Sequence, residues 1–359
     1  MSRALVLAQR GLFTTDPNPR VGCVLLRDGV VAGEGWHERV GGPHAEVNAL
    51  AQAGAGARGA TAYVSLEPCD HYGRTPPCSL ALLTAGVSRV VCAMEDPDPR
   101  VSGGGIARLR AQGVAVEVGL MRDAAEALNP GYLKRLRHGV PFVRVKLAMS
   151  LDGHTALASG ESRWISDDAA RKDAQRFRAR SSAILTGVGT ILADDPAMNV
   201  RVPESDRQPL RIVLDSQLRT PSDSRIINRE GRVLVLGARD DALRRASLER
   251  QGVEVLIAPA TDGRPDLRQV LELLAARGMN ELWVEAGASL AGAFVAQGLF
   301  DELILYVAPS LLGAGARGLL ELPALQSLER RTRLQFSDVR AIGADLRLTA
   351  VPARNEGEG

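Results

Sequence analysis

What is scarce in this chain narrows its identity first. Aromatic residues make up 4% of the 359 positions, and cysteine occurs four times. So few cysteines cannot staple a chain of this length, and the fold must rest on hydrophobic cores. No apolar run approaches the ~18 residues of a membrane span. The apolar part of the opening MSRALVLAQRG is too short for a signal peptide. A net charge of +2 gives no footprint for a nucleic-acid scaffold. With 45% hydrophobic and 24% charged residues, extensive disorder is excluded as well. The expectation is a cytoplasmic α/β protein that acts on a small molecule, without nucleic acid or membrane; a homo-oligomer is compatible with it. Its length suits two domains of about 100–200 residues.

The cysteines are unevenly placed. Cys23, Cys69, Cys78 and Cys92 precede a second half with none, so the halves are expected to differ in chemistry. A boundary within HGVPFVRVK (138–146) gives domains 1–140 and 141–359. The first should hold helices over 3–10, 44–54, 79–86, 105–113 and 122–137, with Pro43 in the first turn of the second. Its strands fall at 21–26, 30–36, 61–67, 89–94 and 114–119. The first two join across Asp28-Gly29, a strong hairpin dipeptide. This alternation predicts a mostly parallel sheet covered on both faces, with a hairpin at one side. The second domain alternates likewise, with strands at 142–150, 182–187, 210–215, 232–237, 253–258, 281–287 and 301–309. Its helices fall near 167–180, 241–251, 266–278 and 288–298. A terminal hairpin covers 333–342 and 345–352, and the tail NEGEG should fray.

The sharpest motif is His44-Ala45-Glu46 followed by Pro68-Cys69 and Pro77-Cys78, the order found in zinc deaminases. Three protein ligands leave one tetrahedral position for water, whose pKa the metal lowers toward neutrality. A neighbouring carboxylate must carry the proton from that water to the leaving amine. His44, Cys69 and Cys78 are the expected ligands and Glu46 the proton carrier. Two residues apart on a helix lie about 200° apart, so His44 and Glu46 converge only at a helix start. A closed structural site could recruit Cys23, Cys92 or His71, but it gives no reason for Glu46. Cys23 and Cys92 sit in apolar strand patterns and read as core. His71 reads as a substrate contact or a support of its loop. Asn18 either caps a turn or bonds a pyrimidine.

Eight residues, not two, separate Cys69 from Cys78. With Asn18-Pro19-Arg20-Val21-Gly22 and HAE, the segment EPCDHYGRTPPC resembles the deaminase domain of the bifunctional riboflavin-biosynthesis deaminase/reductase family, where the longer spacing is the rule. That resemblance implies a cytidine-deaminase-like three-layer domain and favours the pyrimidine reading of Asn18.

The second half lacks a G-x-G-x-x-G fingerprint. Two other glycine turns, Thr186–Thr190 and Glu285–Leu290, place backbone N–H groups at strand-to-helix junctions, where a phosphate can sit. With KLAMSLDG (146–153), SGESRWIS (159–166) and LADDPAMNVR (192–201), the pattern resembles the reductase half of the same family. That implies a dihydrofolate-reductase-like fold using NADPH. By the resemblance, Ala148, Trp164, Thr190, Asp194, Ser216, Gly287, Ala288, Ser289, Leu290, Ala291, Gly292 and Ala293 touch the cofactor. Ser162, Arg178, Met198, Arg201 and Glu285 touch the substrate. Arg178 and Arg201 suit a 5′-phosphate, Ser216 a 2′-phosphate or an ordinary turn, and Trp164 the nicotinamide or solvent. Asp194 and Glu285 are the carboxylates best placed toward a ribose; Lys146 reaches a substrate oxygen or is an ordinary surface lysine.

The implied reactions are zinc-dependent deamination of 2,5-diamino-6-ribosylamino-4(3H)-pyrimidinone 5′-phosphate and NADPH reduction to 5-amino-6-(5-phosphoribitylamino)uracil, with one zinc per chain. Two rivals remain. A nucleic-acid or nucleoside base deaminase with an accessory binding domain predicts a basic surface and the short cysteine spacing. A non-catalytic protein with structural zinc predicts that Glu46 is dispensable.

Overall fold

The structure is a computed structural model that describes residues 1–72 and 76–353. The tail NEGEG and part of the insert between the two cysteines lie outside the described residues. The chain divides into two compact units, Met1–Val140 and Pro141–Gly359. Among the described residues no helix is long and apolar enough to cross a membrane.

The first unit runs α1 (Ser2–Gln9), β1 (Gly22–Arg27), β2 (Val30–Trp36), α2 (Ala45–Ala53), β3 (Thr61–Val64), α3 (Cys78–Thr84), β4 (Arg89–Cys92), α4 (Gly104–Ala111), β5 (Ala115–Val118), α5 (Arg122–Leu128) and α6 (Pro130–His138). The sheet order is β2-β1-β3-β4-β5. β1 is antiparallel to both β2 and β3, while β3, β4 and β5 are parallel. The parallel portion is therefore smaller than the alternation predicts. Asp28 and Gly29 both take positive φ, 50° and 79°, the backbone a tight hairpin turn demands.

Strand alternation splits the apolar side chains between two layers of helices. Cys23 and Leu25 pack with Ala45, Ala49, Leu82 and Leu109 of α2, α3 and α4. Val24 points the other way, against Ala4 and Leu7 of α1. On that face Leu5, Ala125, Tyr132 and Leu133 form a further cluster. The result is the three-layer arrangement expected. Gly35 lets α2 lie directly on β2: a Cβ there would come 2.4 Å from the Ala45 carbonyl oxygen.

Three local expectations are corrected. The helix expected over 122–137 is two, because Pro130 has no N–H and opens α6 instead. At the break the Asn129 side chain accepts from the Arg20 N–H at 2.8 Å and donates to the Arg20 carbonyl at 3.0 Å. Pro43 precedes the N-cap His44 rather than occupying the first turn. The strand expected through residue 67 ends at Val64, and Glu67 leaves the ladder to bond the Met94 carbonyl.

The second unit runs β6 (Phe142–Ser150), β7 (His154–Ala156), α7 (Asp168–Arg180), β8 (Ala183–Gly187), α8 (Val188–Asp194), β9 (Leu210–Leu214), β10 (Val233–Gly237), α9 (Ala242–Glu249), β11 (Glu254–Ile257), β12 (Ala260–Thr261), β13 (Arg264–Pro265), α10 (Leu267–Ala276), β14 (Glu281–Glu285), α11 (Ala288–Ala296), β15 (Glu302–Ala308), β16 (Arg317–Gly318), β17 (Leu334–Ile342) and β18 (Asp345–Pro352). Nine strands form one sheet in the order β11-β10-β9-β8-β14-β6-β15-β18-β17. The first seven positions are parallel and the β17–β18 hairpin is antiparallel. β9 and β10 are buried at every residue, as strands covered on both faces must be. Trp283 of β14 is fully buried and stacks on Phe177 of α7, ring centroids 4.9 Å apart. The small pairs β7–β16 and β12–β13 are too short to carry a sequence period. Where β8, β14 and β6 lie side by side, the chain enters β14 long after β8. The carboxyl ends there form the crevice where open α/β sheets bind ligands.

Candidate active sites

In the first unit, three side chains from three segments converge. His44 is the extended N-cap of α2, Cys69 lies in the loop after β3, and Cys78 is the first residue of α3. Their ligand atoms all lie within 4.8 Å of one another. His44 Nδ1 is 3.3 Å from Cys78 Sγ and 3.5 Å from Cys69 Sγ. A tetrahedron with Zn–S of about 2.3 Å and Zn–N of about 2.0 Å has edges of about 3.5–3.8 Å, so the donors fit zinc. The Cys69 thiol is drawn down to about 4 by its hydrogen bond with Cys78, against burial, with His44 helping. Cys78, sharing that proton, is pushed up. Cys23 and Cys92 are fully buried in the core and stand outside the cluster. Among the described residues the cluster has three donors, the composition of a catalytic zinc site.

Glu46 sits in the first turn of α2 and is only 3% exposed. Burial, then the charge of Cys69, pushes its carboxyl up to about 7, with His44 opposing. Such a group can take a proton and give it back near neutral pH.

Two residues here were missed from sequence. His37 Nε2 accepts from Asn18 Nδ2 at 3.1 Å, and the ring lies edge-on to His44, centroids 5.4 Å apart. It thereby links Asn18 to the metal ligands. Glu67 accepts four backbone N–H groups, from Asp96 at 3.1 Å, Gly103 at 3.0 Å, Gly105 at 3.0 Å and Ile106 at 3.2 Å. This clamp seats Pro68-Cys69 against the start of α4. Neither residue carries a spacing signal, since a lone His after a strand and a Glu before Pro are both common. His71 is half-buried; its Nδ1 has no hydrogen-bond partner among the described residues, and it lies within charge range of Asp98.

In the second unit, Glu285 ends β14 and meets Arg178 of α7 twice, Nε to Oε1 at 2.5 Å and Nη2 to Oε2 at 2.8 Å. The Trp283 indole donates to Glu285 Oε1 at 2.6 Å. Burial pushes Glu285 up, but Arg178, Lys146 and Trp283 together hold it down at about 2. Lys146 lies opposite Glu285 in the β6–β14 register, and burial lowers its pKa. Its Nζ stands 5.8 Å from the centroid of the Tyr306 ring. It is no ordinary surface lysine.

Arg178 and Glu285 are committed to each other, and Arg178 Nη1 also bonds the Asn199 carbonyl at 3.2 Å. Arg201 is exposed, and burial with the nearby charges of Arg178, Arg225 and Arg229 makes it less basic. Met198 is 3% exposed with φ 49°, and its side chain packs in the core with Ile191 and Val213. Gly187 and Gly287 N-cap α8 and α11, as the two glycine turns imply. Gly287 and Ser289 are exposed, and Ala288 and Leu290 half-buried. Ala291 and Gly292 turn inward: a Cβ on Gly292 would lie 2.3 Å from the Glu321 carbonyl oxygen, so that glycine serves packing.

The remaining positions are spread around the crevice. Ala148 is half-buried on β6, and Thr190 half-buried on α8. The Asp194 carbonyl at the end of α8 accepts from Arg163. Ser162 is half-buried, while Trp164 is 71% exposed with the Arg171 guanidinium 4.5 Å above its ring. Ser216 follows β9, and its carbonyl accepts from Ala238 and Arg239 at 3.2 and 3.0 Å.

Residues 1–94 match the family model described as the cytidine and deoxycytidylate deaminase zinc-binding region, and residues 141–348 match the RibD C-terminal domain. The riboflavin biosynthesis protein RibD of Escherichia coli is 50% identical over 98% of both chains. That of Haemophilus influenzae is 47% identical over 98% of this chain and 96% of its own. Among solved structures, RibD of Acinetobacter baumannii superposes with a TM-score of 0.92 at 44% identity, covering 98% of both chains. A Thermotoga maritima protein titled diaminohydroxyphosphoribosylaminopyrimidine deaminase/5-amino-6-(5-phosphoribosylamino)uracil reductase has a TM-score of 0.86 at 30% identity, over 98% of this chain and 97% of its own. A zinc-binding deaminase region followed by a reductase domain, in a chain half identical to the Escherichia coli protein over nearly its whole length, places this chain in the RibD family of bifunctional riboflavin biosynthesis enzymes.

Proposed function

We propose that residues 1–140 deaminate 2,5-diamino-6-ribosylamino-4(3H)-pyrimidinone 5′-phosphate and that residues 141–359 reduce the ribosyl group of the product to ribityl with NADPH. The observation that carries this reading is the His44–Cys69–Cys78 cluster with a buried Glu46 in the first turn of the helix that His44 caps. Zinc held by the three ligands supplies Lewis acidity toward water. Glu46 takes a proton as the water oxygen bonds to the amine-bearing ring carbon, then returns it to the amine nitrogen as the C–N bond breaks. Ammonia leaves. Asn18, oriented by His37, bonds the pyrimidine edge, and His71 reaches the same ligand from the insert.

In the second unit NADPH supplies hydride to C1′. The bond from C1′ to the ring oxygen breaks, and that oxygen needs a proton. Glu285 is held ionised and cannot give one. Lys146, half-buried beside it, is the chain's own donor. Arg201 holds the 5′-phosphate, and the exposed Gly287 and Ser289 at the start of α11 meet the dinucleotide. The protein works in the cytoplasm without nucleic acid or membrane, and a homo-oligomer fits this reading.

The test is an assay of ammonia release and NADPH oxidation on the riboflavin precursor with Glu46→Ala. Ammonia release should fall by roughly 10²–10⁴-fold, the worth of a general acid–base, while reduction of the deaminated intermediate persists. Loss of both activities in a folded variant would refute the two-site assignment.

A further inference from the structure

Tyr306 of β15 is 1% exposed, and the Lys146 amine lies over its ring with Nζ 5.8 Å from the centroid. β6 lies between β14 and β15, so the amine has Glu285 on one side and the Tyr306 ring on the other. The Glu285 oxygens already accept from Arg178 and Trp283. The ring supplies the second electron-rich surface beside the amine.

That ring is fixed from every side. Along the sheet, Tyr306 pairs with Ala148 of β6 and with Arg347 of β18. Its hydroxyl donates to Asp173 Oδ2 of α7 at 2.7 Å, the single anchored tip that a buried tyrosine requires. Arg347 Nη1 donates to the same carboxylate, at 2.8 Å to Oδ2 and 3.0 Å to Oδ1, and Nη2 reaches Asp338 Oδ2 at 2.9 Å. The Arg347 guanidinium also stands 5.3 Å from the centroid of Phe177, which stacks on Trp283. Asp173 and Phe177 are one turn apart on α7, so both meet the sheet from one helix face. The contacts thus close a circuit on that face, from Lys146 and Tyr306 by way of Arg347 to Trp283 and Glu285.

Burial and the charge of Arg178 disfavour the Lys146 ammonium, while Glu285 favours it. A cation over an aromatic face is held by the ring quadrupole, more strongly where water is excluded. We infer that Tyr306 is the positioning residue that aims the Lys146 amine and keeps it charged for proton transfer to the ribose ring oxygen. The inference rests on the reading of Lys146 as the proton donor. In that step an Nζ–H bond breaks and an O–H bond forms, while the electron pair of the C1′–O bond stays with the oxygen. The amine regains its proton from solvent.

The chain has three lysines, Lys134, Lys146 and Lys172. Full-length protein carrying isotope-labelled lysine therefore gives three ε-CH2 signals in an NMR titration, assigned with Lys134→Arg and Lys172→Arg. In the native chain the Lys146 protons should lie upfield of the other two, because a ring face shields what sits over it. In Tyr306→Leu that displacement should vanish, and the Lys146 titration midpoint should fall by about one pH unit, the worth of a desolvated cation–π contact. The kcat for NADPH-dependent reduction should fall about tenfold at neutral pH with both KM values unmoved. Tyr306→Phe keeps the ring and should restore most of each effect. The native signal needs no variant to fold: a Lys146 resonance with no upfield displacement would overturn the inference. So would a midpoint unmoved or raised in Tyr306→Leu, or a Tyr306→Phe midpoint as low as that of Tyr306→Leu. A folded Lys146→Met variant that still reduces the deaminated intermediate would instead overturn the donor reading, whatever the titration shows.

Discussion

Arg178 and Glu285 face each other edge to edge, with both carboxylate oxygens bonded by one guanidinium from a different element. Each side chain is about 15% exposed, at 14% and 15%. The pair is therefore a fixed part of the crevice wall, with the carboxylate ionised throughout the neutral range.

Glu285→Gln should leave the Arg178 charge buried and uncompensated, at a cost of about 3 kcal/mol. The sign with pH follows from the depressed pKa. A carboxyl at about 2, below its ordinary 4.5, adds stability that is complete above pH 4.5 and lost as pH falls through 2. The difference in melting temperature between native and variant should be full at pH 7.5 and shrink only in strong acid. A gap already closed at pH 5 would show that the pair is not ionised as described.

The metal cluster predicts about one zinc per chain, lost with Cys78→Ser. Ammonia release should vanish with the metal, while NADPH oxidation on the deaminated intermediate continues. Metal analysis of carefully purified protein checks this directly. Finding no zinc would refute the deaminase reading.

Gly105 lies where the Glu67 clamp meets the cysteine loop. A Cβ there would stand 1.9 Å from the Pro68 carbonyl oxygen, one residue before Cys69. Gly105→Ala should cost about 1–3 kcal/mol of overpacking and weaken zinc retention against a chelator. Gly104→Ala is the control, since its nearest neighbour, Asp70 Cβ, would lie at an ordinary 3.6 Å. Equal zinc retention in the two variants would show that the clamp does not position Cys69.

Asp96 reverses the usual acid behaviour of a carboxylate. Burial, with Asp98 and Glu67 nearby, pushes it up to about 6, although Asp98 N–H and the Tyr132 hydroxyl both donate to its Oδ1. The folded chain therefore binds a proton that the unfolded chain has released. Stability falls as pH rises from 3.8 to about 6, and the penalty remains above that. Asp96→Asn keeps an oxygen for both donors, so it should raise stability by about 1–3 kcal/mol at pH 7.5 and less at pH 4. Melting curves at the two pH values decide it; a variant no more stable at pH 7.5 contradicts this account.

Much of this was legible in the sequence, because local chemistry wrote it there. The alternation of strand and helix follows from periodicity, and the Asp28-Gly29 hairpin from its turn residues. The motif His44-Ala45-Glu46 with Cys69 and Cys78 named its chemistry because zinc demands specific donors. Other features have no local signature. Pro130 broke a helix whose apolar period continued across it, and β1 turned antiparallel to β3 because register is a property of neighbours. Arg178 and Glu285, far apart in the chain, looked like two separate ligand-binding groups. Each is charged, and only the packing of α7 against the end of β14 spends those charges on one another. Lys146 changed from a surface residue to a half-buried amine for the same reason. By itself the sequence determined which donors and turns exist. Tertiary structure alone decided which charges remain free for a ligand, because burial and pairing depend on residues that are neighbours only in the folded chain.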